Sequence, residues 1–189
     1  MSNRIGVLGS ICNPPHLGHA TLARSAAEQL GLSHVLLIPT GTPAHREEPA
    51  VDPRTRLRLA EAAAADEPIL AASAIEVSRP GPSFMVETLS LLALQVGAAE
   101  LVLLLGADQY AALDTWHDPA GIRQLASIAV APRAGSVLDL DPGVEEIAMA
   151  VVDVSSTEIR RRVAAGEPID GLVSRRVAAL IAELGLYRA

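Results

Sequence analysis

Short apolar runs separated by longer stretches of helical period set the strongest limit on what this chain can fold into. Ile5-Gly-Val-Leu8, Val35-Leu-Leu-Ile38, Leu101-Val-Leu-Leu-Leu105 and Ser127-Ile-Ala-Val-Ala131 are such runs, each followed directly by Gly or Pro. Runs this short and this apolar read as strands buried on both faces, and helical stretches between them make βαβ crossovers. Ala20, Ala23, Ala27 and Leu30 share one helix face that stops at Gly31. Asp52-Pro53 supplies an N-cap and a first-turn proline, and the helix it opens is expected to run to about Ala65. Ser83 is placed to cap a helix bearing Val86, Leu89, Ala93 and Val96. Met149 to Val152 is read as a last strand, Ser155-x-x-Glu158 as a capping box, and Val177, Leu180, Ile181 and Leu184 as the face of a terminal helix stopped by Gly185.

The expected fold is therefore α/β, a Rossmann-like doubly wound parallel sheet with helices on both faces. At 189 residues the chain fits one domain over residues 1–189. Residues 39–52, rich in Pro, Gly, Thr and charge, form a long loop of the kind that carries function. Residues 155–189 form a C-terminal helical part. In such sheets ligands bind beyond the carboxyl ends of the strands, so the strand-end loops are the places to search.

Composition removes several chemistries. All 15 basic residues are arginine, so Schiff-base, pyridoxal-phosphate and P-loop lysines are absent. The net charge of −7 argues against a nucleic-acid partner that would need a basic face. Cys12 is the single cysteine, which excludes an internal disulfide and a cysteine-based zinc site. No apolar run approaches the ~18 residues of a membrane span, and the apolar start is too short for a signal peptide. A cytoplasmic protein without a membrane partner is the plain expectation, with self-association left open. Phe84, Tyr110, Trp116 and Tyr187 are the only aromatics of the Phe, Trp and Tyr type, so the core is aliphatic and the lone Trp stands out.

The first strand-to-helix turn is Gly9-Ser10-Ile11-Cys12-Asn13-Pro14-Pro15-His16-Leu17-Gly18-His19. A glycine-bearing turn feeding a helix N-terminus can bind an anion through backbone N–H groups and the helix dipole. His16 and His19 are three apart, share a face there, and can donate hydrogen bonds to charge on phosphoryl oxygens. Two plainer readings stand beside this one: half of a metal site without a carboxylate at ligand spacing, or imidazoles that cap and pack. The turn lacks the G-x-G-x-x-G of a dinucleotide-binding dehydrogenase.

Gly9 through His19 resembles the G-[GST]-x-F-[DN]-P-x-H-x-G-H signature of the nucleotidylyltransferase superfamily. Four further segments resemble its bacterial nicotinate mononucleotide adenylyltransferase branch: Gly81-Pro-Ser-Phe-Met-Val-Glu-Thr88, Gly106-Ala-Asp108 with Trp116-His-Asp-Pro119, Val154-Ser-Ser-Thr-Glu-Ile-Arg160 and Gly185-Leu-Tyr187. They occur in order over nearly the whole chain.

The resemblance implies adenylyl transfer from Mg²⁺-ATP to a pyridine mononucleotide by in-line attack on the α-phosphorus. His16, His19 and Arg160 become the catalytic candidates. Gly9, Ser10, Ile11, Gly18, Gly106, Asp108, Ser155, Ser156 and Thr157 join them as ATP-binding candidates, with Mg²⁺ held mainly by phosphate oxygens and water rather than by protein ligands. Asn13, His45, Arg46, Ser83, Met85, Trp116 and Arg133 are the acceptor-binding candidates. Outside the resemblance, Ser155 to Arg160 reads as a capped helix with a surface Arg, Asp108 as a helix N-cap and Trp116 as a core aromatic. His34 and His117 read as structural or solvated.

The chain departs from the family pattern near the ligands. Ile11 and Cys12 replace Thr or Ser and then Phe, Phe84 and Met85 replace Tyr and Thr, and Ala44-His45-Arg46 replaces Pro-His-Lys. Three functions follow: the nicotinate mononucleotide enzyme of NAD biosynthesis, an enzyme of the same mechanism with another phosphate-bearing acceptor such as nicotinamide mononucleotide, and a silent nucleotide-binding relative.

Overall fold

The computed structural model describes residues 3–44, 49–132, 139–150 and 152–188. Strand β1 (Arg4–Ser10) leads into helix α1 (Leu17–Leu30), then strands β2 (Leu32–Pro39) and β3 (Thr42–Pro43), helix α2 (Pro53–Ala64) and strands β4 (Leu70–Ala72) and β5 (Pro82–Ser83). Helix α3 (Met85–Val96) precedes β6 (Glu100–Gly106), a short helix α4 (Ala107–Ala111), a 3₁₀ turn over Leu113–Thr115 and helix α5 (Pro119–Leu125). Strands β7 (Ser127–Ala131) and β8 (Glu145–Glu146) and helices α6 (Ser156–Ala164) and α7 (Arg175–Glu183) complete the order.

The main sheet runs β4-β2-β1-β6-β7-β8, and every pairing in it is parallel. The order reverses between β1 and β6, which leaves a crevice beyond their carboxyl ends. Side-chain alternation is apolar on both faces, as a covered parallel sheet requires. Val102 and Leu104 join Leu22, Ala23 and Ala26 of α1 and Ala60 of α2 in one core layer. Leu101, Leu103 and Leu105 join Leu89 and Leu92 of α3 and Ile122 of α5 in the other. Leu59, Ile159, Val177 and Ile181 form a third cluster that packs α6 and α7 against α2. Among the described residues no helix is long and apolar enough to cross a membrane.

Several local expectations are corrected. The α3 N-cap is Phe84, without a side-chain cap bond; the Ser83 hydroxyl is diverted to accept the Gly41 N–H at 3.1 Å. That bond sits beside a two-stranded parallel patch of β3 and β5, which ties the segment just after β2 to the loop before α3. The last strand is β8, not Met149 to Val152; residue 151 lies outside the described residues. Ala148 instead bonds the Gln29 side chain twice, N–H to Oε1 at 3.0 Å and carbonyl from Nε2 at 2.7 Å. Ser155 caps α6 by accepting the Glu158 N–H at 3.2 Å, but the Glu158 carboxylate pairs with Arg161 and Arg162 rather than closing a box.

Leu103 is fully buried and Leu94 is 83% exposed. Leu103→Ala is expected to cost about 2–5 kcal/mol in urea unfolding, against a change within about 0.5 kcal/mol for Leu94→Ala. Equal losses would contradict this core assignment.

Candidate active site

A cavity of about 780 Å³ opens at the sheet crevice, within the size range of small-ligand sites. The segment after β1 forms its floor. Cys12 has a left-handed backbone at φ 54° and a buried side chain, and burial pushes its thiol up to about 12. It is therefore a packing residue rather than a nucleophile.

His16 is the N-cap of α1 and His19 is its third residue. Their ring centroids are 3.9 Å apart. The His19 Nδ1 accepts the His16 backbone N–H at 3.1 Å, so the proton of the neutral ring must sit on Nε2. That Nε2–H donates to Ser10 Oγ at 2.9 Å, and the same oxygen accepts the Cys12 N–H at 3.2 Å. One tautomer is thus set, with its N–H aimed from the helix start toward the end of β1. Gly18 makes room for this pair, because a Cβ there would meet His16 Nδ1 at 3.0 Å.

The chain's C-terminal part closes the same floor. Ser156 Oγ donates to the Pro14 carbonyl at 2.8 Å, and Arg160 Nη1 donates to the Asn13 carbonyl at 2.8 Å. Arg160 Nη2 also donates to Thr157 Oγ1 at 3.2 Å. Tyr187 Oη donates to Asn13 Oδ1 at 2.8 Å. The α1 and α6 N-termini are thereby held at one end of the cavity, where the positive ends of their helix dipoles favour an anion.

Gly9, Ser10, Ile11, Asn13, His16 and His19 line this end, with Ser156, Thr157 and Arg160 across from them. Asp108 lines it from α4; the N-cap of that helix is Gly106, so Asp108 is not a cap. Ser83, Met85 and Trp116 line the other end with Phe84 and His117. The rings of Phe84 and His117 lie 4.5 Å apart and tilted by 38°, so His117, solvent-exposed as expected, also stands at the cavity wall. Met85 reaches across to β1, where a Cβ on Gly9 would lie 2.7 Å from its methyl.

Three expected residues stand back from the cavity: Gly18 under His16, Gly106 at the end of β6 and Ser155, whose hydroxyl is spent on the α6 cap. His45, Arg46 and Arg133 lie outside the described residues. Sequence reasoning missed buried Glu76, whose Oε1 accepts from Thr88 Oγ1 at 2.8 Å, and gave Tyr187 no role. Among the described residues no group of three or more His, Cys, Asp or Glu could hold a metal ion.

Burial, with His19 as neighbour, lowers His16 to about 3, and burial lowers His19 to about 4. Between those values and the ordinary 6.5 the unfolded chain binds more protons than the folded one, so stability rises with pH. The empty protein should lose stability as pH falls below 6.5 toward 4, and His19→Asn should flatten that loss in urea midpoints taken at pH 7 and pH 5. An unchanged slope in the variant would contradict it.

The cytidylyltransferase-like family model matches residues 7–162. Two curated proteins carrying the name "Probable nicotinate-nucleotide adenylyltransferase" align over nearly the full chain. The one from Thermomicrobium roseum is 36% identical, covering 98% of this chain and 92% of its own. The one from Roseiflexus sp. is 40% identical, covering 97% and 98%. The solved nicotinic acid mononucleotide adenylyltransferase of Plasmodium falciparum, complexed with NaAD, superposes with a TM-score of 0.81 at 12% identity, over 98% of this chain and 97% of that one. That last likeness concerns the fold alone. By family model and by relatives matched end to end, the chain belongs to the cytidylyltransferase-like family, within its nicotinate-nucleotide adenylyltransferases.

Proposed function

We propose that the protein transfers AMP from Mg²⁺-ATP to nicotinate mononucleotide, giving nicotinate adenine dinucleotide and pyrophosphate in NAD biosynthesis. One observation carries this reading: a single cavity has two helix N-termini, two neutral imidazoles and Arg160 at one end, and Trp116, Phe84 and His117 at the other. The first end suits a polyphosphate and the second a flat pyridine ring.

In the reaction an oxygen of the acceptor phosphate forms a bond to the α-phosphorus while the bond to the bridging oxygen breaks and pyrophosphate leaves. No covalent enzyme intermediate is needed, so positioning and charge stabilisation supply the rate. The His19 Nε2–H, already fixed by its tautomer, can be shared with a phosphoryl oxygen beside Ser10. His16 and Arg160 add donors, Ser156, Thr157 and the first amides of α6 face the outer phosphates, and Asp108 suits the adenosine ribose. The donor set of imidazoles, hydroxyls, amides and one guanidinium fits a triphosphate that carries its own metal. Mg²⁺ would neutralise phosphate charge and improve the leaving group. The same reading places the enzyme in the cytoplasm as one domain over residues 1–189.

Met85 keeps a second acceptor in play. Its methyl lies against β1 where the two ends of the cavity meet, so the acceptor pocket has a different wall from one bearing Thr. Nicotinamide mononucleotide is the first alternative.

Purified protein with Mg²⁺-ATP and either mononucleotide should yield the nicotinate dinucleotide much the faster by mass spectrometry. His19→Ala should lower kcat by about 10²–10³-fold, the usual cost of one transition-state donor. Dinucleotide chiefly from the amide would move the acceptor assignment, and no product from either would sink the proposal.

A further inference from the structure

Arg56 of α2 is fully buried, with no solvent exposure, and among the described residues it is the only buried basic side chain. A guanidinium is costly to desolvate, and it is kept only where its donors meet acceptors on all sides. Its Nε donates to the Val51 carbonyl at 3.2 Å, Nη1 to the Ile11 carbonyl at 2.9 Å and to the Thr40 carbonyl, and Nη2 to the Gly41 carbonyl at 2.7 Å. These carbonyls come from three separate segments: the turn after β1, the segment after β2 and the approach to α2. Ile11, Thr40 and Val51 themselves line the cavity.

We infer that Arg56 is a positioning residue that sets the phosphate-binding turn against residues 40–41 and 51 on the two flanks of the long loop, and so fixes the two substrates' relative alignment. The planar fork presents its donors at fixed angles, which a lysine ammonium cannot reproduce. It touches no substrate; it acts through the backbone of the segments that do. In-line transfer is sensitive to small displacements of this kind, so the loss should fall on kcat more than on either KM. Leu59, on the same helix, is equally buried but packs with Ile159 and Val177 away from the cavity.

The test uses the full chain as Arg56→Met and Arg56→Lys, with Leu59→Ala as the control for lost stability. Kinetics well below each Tm should show kcat down about 10²-fold in Arg56→Met, a smaller fall in Arg56→Lys and little change in Leu59→Ala. Hydrogen exchange by mass spectrometry should show residues 9–19 and 39–44 exchanging faster in both Arg56 variants, with α7 unchanged. Only the kinetic arm rests on the adenylyl-transfer reading; if wild type makes no dinucleotide, that reading fails and the exchange arm still decides. Unchanged exchange in those segments, or kcat lost equally in Leu59→Ala at the same Tm, would overturn the assignment. Should Arg56→Met fail to fold, the Arg56→Lys exchange pattern and kcat decide.

Discussion

Both faces of the parallel sheet are apolar, and the rest of the structure follows from that constraint. Helices must cover the two faces, so neither face has room for polar chemistry. Groups that bind charged ligands are pushed to the rim where strands end and helices begin. There the N-termini of α1 and α6 bring partial positive charge at no further electrostatic cost. The switch in strand order between β1 and β6 turns that rim into a cleft.

Residues distant in sequence hold the cleft together. Asn13 takes a bond on its side chain from Tyr187 and one on its carbonyl from Arg160, while Pro14 takes one from Ser156. The C-terminal helices therefore brace the turn that carries the two histidines. Arg56 braces the same turn from beneath, and Ser83 with Gly41 joins the loops at the other end. Fixing groups in advance lets a site stabilise charge as it develops, without reorganising at the moment of reaction.

The sheet interior was legible because a run such as Leu101 to Leu105 has few other uses. The His16–His19 pair was legible because spacing of three at a helix start puts both rings on one face. The failures share a cause, in that a tertiary partner decided them. Leu70-Ala-Ala72 is only three residues of weak strand character after an alanine-rich helix, and pairing with β2 makes it a strand. Glu145-Glu146 has no apolar signal and forms the sheet edge, while the Gln29 side chain takes over the backbone groups of Ala148. Ser83 had the composition of a cap, but Gly41 claimed its hydroxyl. Arg56 and Glu76 look like ordinary helix and loop charges in sequence, and nothing local says that they are buried. His117 reads as a surface residue, and its neighbour across the cavity wall, the ring of Phe84, is 33 positions away in sequence.

The central claim is that one cleft holds a triphosphate between the two helix starts and a pyridine ring beside Trp116. A crystal structure with a non-hydrolysable ATP analogue and nicotinate mononucleotide tests it most directly. The account predicts phosphates between His16, His19 and the α6 N-terminus, with the acceptor phosphate in line with the α-phosphorus and its ring at the Trp116 end. Phosphates bound away from the two histidines, or an acceptor outside the Phe84 and Trp116 end, would contradict it.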